Sequence, residues 1–408
     1  MPTDPVTSWN AAPDGVPGPP RAVVLGGGIG GLTAALALVR HGWRVRLYER
    51  AAALDPVGAG LAVAPNALRA LDVLGLGDAV RERAAVQGEA GLRRPSGRWL
   101  ARTSGAELAR AFGDPVAVLH RADLVAVLAA ALPDGVVRTG TPADVRDPGS
   151  ADRPATVTAD GHDLTADLVV AADGLRSRTR DRLFPGHPGP RYSGFTTWRT
   201  VITGGPRPVP FGETWGPGAL AGLAPLVDGR VYLYASVTAP AGERAPDGDE
   251  RAELLRRFGH WCAPLPQLLA AAEPDAVLRH DVYELAEPLP AFHHARVALL
   301  GDAAHAMTPF QGQGACQAVE DAVVLAHLVR PGEDPYRALP AYTAARLPRT
   351  TGVVARSRRV GRAVAVTAPP AVLLRDAALA LAGRLPRAAV VRATAPTFGW
   401  RPPAAPAP

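Results

Sequence analysis

The chain has 408 residues, 47% of them hydrophobic and 20% charged, which outgrows a single hydrophobic core and excludes a lone small binding module. Gly and Pro, 43 and 42 residues, fall short of the share that marks a low-complexity chain. The formal charge of +6 rests on 44 basic residues, all arginine, dispersed rather than gathered into a stripe, which argues against a nucleic-acid partner.

Residues 1–20 lack the basic start and apolar stretch of a signal peptide and read as a Pro-rich, disordered leader. Ala22 to Leu25 is a short apolar run, followed by a glycine cluster, an apolar helix over Leu32 to Val39, and a strand over Val45 to Tyr48, which together make one βαβ unit. Ala122 to Leu132 reads as a helix, and Asp167 to Asp173 holds a buried parallel strand. Between 190 and 240 aromatic and β-branched residues separated by Gly and Pro predict antiparallel sheet. From Arg296 a strand ending in Gly301-Asp302 and a long helix from Ala315 to Val329 restore the α/β pattern, and Ala371 to Leu385 reads as a helix. A chain that begins α/β, turns antiparallel and returns to α/β predicts a nucleotide-binding domain carrying an inserted second domain. The expected division gives 21–80, 105–185 and 290–345 to the first, 81–104 and 186–289 to the sheet domain, 346–394 to C-terminal helices, and 395–408 to a frayed tail.

Two cysteines, Cys262 and Cys316, cannot build a disulfide framework, and no zinc-type ligand spacing is present, so no metal is expected and a reducing cytoplasm is the natural setting. Cys316 reads as a packing residue. No apolar run reaches the ~18 residues of a membrane span.

The glycine cluster places Gly26, Gly28, Gly30 and Gly31 between strand and helix. Absent Cβ atoms let a pyrophosphate reach backbone N–H groups at a helix N-terminus, whose dipole favours the anion. Glu49 ends the second strand, where a carboxylate accepts ribose hydroxyls, and Arg50 follows it. Asp302 at the end of a buried strand either caps a helix or meets a ribityl hydroxyl; Pro309, Gly312, Gln313, Gly314 and Ala315 then open a helix.

With these motifs in order, the sequence resembles the para-hydroxybenzoate hydroxylase family of single-component FAD-dependent aromatic monooxygenases, nearest the salicylate and urate hydroxylase type. The Asp173-Gly174-x-x-Ser177-x-x-Arg180 run and His120-Arg121-Ala122-Asp123-Leu124 match further fingerprints of that family. The resemblance implies a Rossmann-like, GR2-type FAD-binding domain with an inserted, mostly antiparallel β-sheet substrate domain and a C-terminal helical segment. It implies non-covalent FAD, with Glu49 on the adenosine ribose, Arg121 on the linking region, Asp302 on the ribityl chain, Asp173 shared between structure and cofactor, and the Gly312 to Ala315 backbone facing the flavin. It further implies NADH or NADPH as reductant, O2 as co-substrate, and hydroxylation or epoxidation of a small aromatic or conjugated substrate through a flavin C4a-hydroperoxide. No amino-acid side chain is expected to be the catalyst, because the flavin carries the chemistry. Rival readings are a flavin oxidoreductase without oxygen insertion and a non-catalytic FAD-binding protein. The expected assembly is a monomer or homodimer.

Substrate contacts are expected from the inserted sheet. Strand alternation puts Tyr232, Tyr234 and Ser236 on one face. Tyr232 matches a substrate-side tyrosine of urate hydroxylases, and it either contacts substrate or packs the sheet. Trp198 and Arg199 lie on the preceding strand; Arg199 either anchors an anion or is solvated. His305 reads as a structural histidine. Leu220 stands where urate hydroxylases carry a substrate-binding arginine, which argues against urate.

Overall fold

The structure, a computed structural model, describes residues 9, 18–54, 59–86 and 88–403. Strands run in the order His293–His294, Val297–Leu299, Leu168–Ala171, Arg21–Leu25, Arg44–Tyr48 and Val137–Arg138, all parallel except the first. Parallel strands covered on both faces must be apolar throughout, and Leu168–Ala171 is buried at every position. Helix Ile29–Arg40 packs between this sheet and helix Gly314–Leu328, so both are buried nearly all round, as their sequences require.

The inserted sheet has seven strands, in the order Leu278–Leu285, Pro190–Ile202, Val231–Thr238, Ala219–Pro225, Phe211–Gly216, Glu89–Arg93 and Trp99–Ser104. It is antiparallel apart from the Phe211–Gly216 and Glu89–Arg93 pair. Its far face lies under helices Glu250–Phe258 and Leu265–Ala270, burying Trp198, Leu233, Ala235, Leu254 and Phe258. Its near face turns toward the nucleotide domain and the C-terminal helices, where Phe195, Trp215, Leu220 and Tyr234 meet Phe310 and Val364.

Several boundaries differ from the sequence expectation. Ala85–Val86 pairs with Ala117–His120 in a separate three-stranded sheet that also holds Gly60–Val63, so only the later part of 81–104 joins the large sheet. The division at 345 falls inside one helix, Pro335–Val364, which continues through Pro340 and Pro348. Ala143–Asp147, Ala155–Ala159 and His162–Ala166 form a further three-stranded sheet, turned at Asp160-Gly161, where both residues have positive φ. An Asp-Gly pair between alternating strands is a hairpin signal that the sequence reading passed over.

Both chain ends are held where described. Trp9, inside the expected leader, is buried, its Nε1 donating to Thr165 O at 3.0 Å under the guanidinium groups of Arg44 and Arg46. Helix Arg387–Phe398 carries the chain past Ala395 in ordered form, and Arg69 donates to Trp400 O at 2.7 Å.

An ionic network with a fully buried centre joins the two long helices. Arg346 donates to Glu320 at 2.7 Å and to Asp321 at 2.6 Å, and Arg349 reaches Glu320 at 2.5 Å. Burial pushes the Asp321 carboxyl up, but His305 and Arg346 outweigh it and hold the group down at about 2. Removing one partner of such a network leaves uncompensated charge in the interior. Arg346→Ala is expected to cost about 3–5 kcal/mol in chemical denaturation. Asp321 has a depressed pKa in the folded state, so its share of stability is present above about pH 4 and is lost as pH falls toward about 2. Asp321→Asn should therefore flatten that acid limb of a Tm-against-pH series.

Candidate functional site

The glycine turn is built by contact rather than by flexibility alone. Gly26 has φ +106°, and a Cβ there would strike the Ala172 carbonyl; a Cβ at Gly31 would strike the carbonyl of Gly26 itself. Gly30 lies against Leu300 and Ala318, closing helix Ile29–Arg40 onto the strand and helix behind it. Gly28 is different: nothing lies within 4 Å of its Cβ position. It caps the helix, so its open side leaves room for an anion at the helix N-terminus. Glu49 fixes the turn by accepting from Gly27 N at 2.6 Å and Ala51 N at 2.8 Å. A carboxylate has about four lone-pair directions, so two remain for ribose hydroxyls. Arg50 is exposed.

The second half of the cradle comes from the Gly301-Asp302 segment. Asp302 retains accessible surface yet sits deep among surrounding atoms, the position of a group on a cleft floor. Crowding pushes its carboxyl above the ordinary range, while His305 and Arg121 pull it back. Arg121 begins helix Arg121–Ala130, its N–H donating to Ala59 O at 3.0 Å and its side chain exposed. A Cβ at Gly314 would lie 4.0 Å from Asp302 Oδ1, so the N-terminus of helix Gly314–Leu328 opens beside that carboxylate.

Gln313 caps that helix and is buried, its Oε1 accepting from Asn66 and Gln317 at 3.0 Å each. Its Nε2 has no protein partner. A buried, unpaired donor is expensive, and here it stands beside Gly312, which takes the left-handed conformation at φ +59°, and beside Ala315. Pro309 and Phe310 precede it; the Phe310 ring meets Phe195 at 4.7 Å between centroids and lies over Gly361, locking this turn to the inserted sheet and to helix Pro335–Val364. The open Gly28 backbone fits the pyrophosphate of FAD, and the Asp302 carboxylate, the Gln313 donor and the N-terminus of helix Gly314–Leu328 fit its ribityl and pyrimidine parts.

Asp173 serves structure: it accepts from Ser177 Oγ at 2.6 Å and Thr179 N at 3.2 Å, while Ser177 caps the following helix. The fully buried Arg180 ties that helix to Leu175 O at 2.9 Å.

On the sheet's near face, Tyr232 lies flat on Gly60, where a Cβ would collide with its ring, and 5.3 Å from the Tyr234 ring. Burial raises the Tyr232 phenol to about 12, opposed by Arg199. Arg199 shares this face, half-buried, with Nη2 3.4 Å from His280 Nδ1. Trp198 does not share it. Alternation along Pro190–Ile202 turns its side chain to the far face, where Nε1 donates to Glu250 at 2.7 Å, so it leaves the set of substrate candidates. His305 is held by Asp321 at 2.5 Å, and burial pushes the Cys316 thiol up to about 12.

The sequence reading missed Glu213. It accepts from Tyr234 Oη at 2.8 Å and Trp215 Nε1 at 2.7 Å on the near face, and burial raises its carboxyl. Its position opposite Gly222, which in turn faces Tyr234, shows only once the strands are in register.

Compared with known proteins, residues 21–210 and 278–357 match the FAD binding domain family. The chain is 40% identical over 346 residues to an aurachin C monooxygenase/isomerase of Stigmatella aurantiaca, covering 83% of this chain and 88% of that one. It is 34% identical over 344 residues to an FAD-dependent urate hydroxylase of Klebsiella pneumoniae, covering 83% and 89%. The solved structure of Klebsiella pneumoniae HpxO with FAD and uric acid superposes with a TM-score of 0.83 at 29% identity, covering 93% of this chain and 96% of that one. The chain belongs to the single-component FAD-dependent aromatic monooxygenases. It is a flavin-dependent enzyme of the hydroxylase class.

Asp302→Ala and Arg121→Ala each remove a cleft-facing charged group without opening the core. FAD affinity is expected to fall about 10- to 100-fold, the equivalent of one lost charged hydrogen bond, with circular dichroism unchanged. Unaltered affinity in both variants removes these two residues from the cofactor set.

Proposed function

We propose that the protein uses NADH or NADPH and O2 to hydroxylate or epoxidise a small, electron-rich aromatic or conjugated substrate held between the flavin and the near face of the inserted sheet. The observation that carries this reading is the meeting of two surfaces. The Pro309 to Gly314 turn, with its unpaired Gln313 donor, is locked by Phe310 onto the sheet face that presents Tyr232 and Tyr234. FAD, when bound, accepts electrons from the nicotinamide and activates oxygen for transfer to a ring carbon.

The chain's own residues orient the reactants and exclude water. The N-terminus of helix Gly314–Leu328 favours negative charge on the flavin pyrimidine edge without an ionisable group. Phe195, Trp215, Leu220 and Phe310 pack as an apolar cluster at this junction, which keeps out the water that would let activated oxygen escape as H2O2. Tyr232 keeps its proton across the neutral range, as an ordinary phenol does, burial raising it further to about 12, and so stands as a hydrogen-bond donor to substrate. Leu220, packed with Trp215, Phe195 and Val282, supplies no charge to a urate-like anion. We place the enzyme in the cytoplasm, where the free Cys262 and Cys316 stay reduced, as a monomer or homodimer.

The purified protein should be yellow, release FAD on acid treatment, and incorporate one 18O atom from 18O2 into product. Product without the mass shift would replace oxygen insertion by dehydrogenation. Tyr232→Phe retains the ring over Gly60 and removes only the donor. It should reduce FAD normally yet lower the ratio of hydroxylated product to NAD(P)H consumed, because a misplaced carbon lets activated oxygen escape as H2O2. An unchanged ratio makes Tyr232 a packing residue.

A further inference from the structure

Helix Pro369–Ala382 is turned inside out. Its inward positions include Arg375 and Asp376, which pair with each other at 2.8 Å, while Arg94 joins Asp376 at 2.6 Å. Its outward positions are leucine and alanine. Leu373, Leu374 and Leu381 are 60%, 73% and 66% exposed, and Leu385 just beyond the helix is 52% exposed. Ala377, Ala378 and Ala382 are exposed between them. The spacing 373, 374, 377, 378, 381, 382, 385 is one unbroken stripe at helical period, with no polar side chain in it. A soluble helix buries such a stripe and exposes its charges; this one does the reverse.

We propose that this stripe seats the enzyme on an anionic lipid surface. Two observations select the lipid over a second copy of the chain. The first is charge: from Ala377 to Pro403 the sequence carries Arg384, Arg387, Arg392 and Arg401 and no Asp or Glu. Arg384, Arg392 and Arg401 are exposed. Two copies of this segment brought together supply no carboxylate for these arginines, whereas anionic headgroups do. The second is area. At 52–73% exposure the four leucines present on the order of 450 Å² of apolar surface, short of the ~800 Å² per partner of a stable interface. Shallow insertion of leucines flanked by arginines needs no larger area, because headgroup attraction supplements it. No helix among the described residues is long and apolar enough to cross a bilayer, so the attachment is peripheral. The inner side of the same helix lays Leu379 against the near-face cluster of Trp215, Leu220 and Tyr234, which sets the substrate-facing sheet directly beneath the docked surface.

The test is co-sedimentation of the FAD-loaded enzyme with vesicles of phosphatidylcholine alone and of phosphatidylcholine with phosphatidylglycerol, at low and high salt. Partition onto the phosphatidylglycerol vesicles is expected to exceed that onto neutral vesicles by about tenfold or more and to fall with salt. The double variant Leu374→Gln/Leu381→Gln should lose most of that binding while keeping its FAD content and thermal midpoint, since neither side chain packs on the protein. Arg384→Gln/Arg392→Gln should lose the anionic preference alone. The proposal is overturned by equal binding to both vesicles, by no binding to either, or by binding that the leucine variant leaves intact. It is equally overturned if ultracentrifugation shows a dimer that the leucine variant dissociates, which assigns the stripe to a second copy.

Discussion

The cofactor cleft depends on charge kept out of water. Arg346 stands between Glu320 and Asp321 in the interior, and neither carboxylate has solvent to turn to. Each is therefore committed to protein donors. Asp321 takes His305 and the Gly301 N–H, which fixes the start of the turn that carries Asp302. Glu320 takes Asn66 and Gln317, and these hold the Gln313 carbonyl oxygen, leaving its amide nitrogen without a protein partner. A buried network of this kind adds little net stability over apolar packing, but its members have no alternative partners, so it imposes one geometry.

The same network reaches the chain's C-terminal end. Arg349 bonds Glu320 on one side and the carbonyls of Pro396 and Thr397 on the other, while the Trp400 ring lies under Arg346 and Arg349 at 5.8 and 5.7 Å. The C-terminal helix is thus tied through Arg349 and Glu320 to helix Gly314–Leu328. Arginine suits this part because its planar fork serves a carboxylate, a carbonyl and an aromatic face at once.

The inserted sheet divides its labour by the two-residue period of a strand. One face is apolar and covered by helices; the other gathers Tyr232, Tyr234, Glu213 and Arg199 against the nucleotide domain. Gly60 and Gly222 make this possible, since each leaves room for a tyrosine ring to lie on backbone. Where the two rings lie is consequently set by glycines, one on the adjacent strand and one on the three-stranded sheet, as much as by the tyrosines.

Much of the cofactor half was legible in the sequence because its determinants are local. A glycine turn between strand and helix, an acid at the next strand end, and an Asp followed by a glycine-opened helix each specify backbone shape within a few residues, and the structure forms an element at each. The inserted sheet was legible as sheet, and Tyr232 and Tyr234 as sharing a face, because alternation is a property of one strand. Which face meets the cofactor is decided between strands. Trp198 and Arg199 are neighbours in sequence and opposites in space, and Glu213 reaches Tyr234 only through the register of Ala219–Pro225. The prolines at 340 and 348 concealed a 30-residue helix whose packing carries it through them, and Arg346 within it gives no local sign that it is buried. Local backbone chemistry is written in spacing; burial, facing and charge pairing join residues tens to hundreds of positions apart, and only the packed chain brings them together.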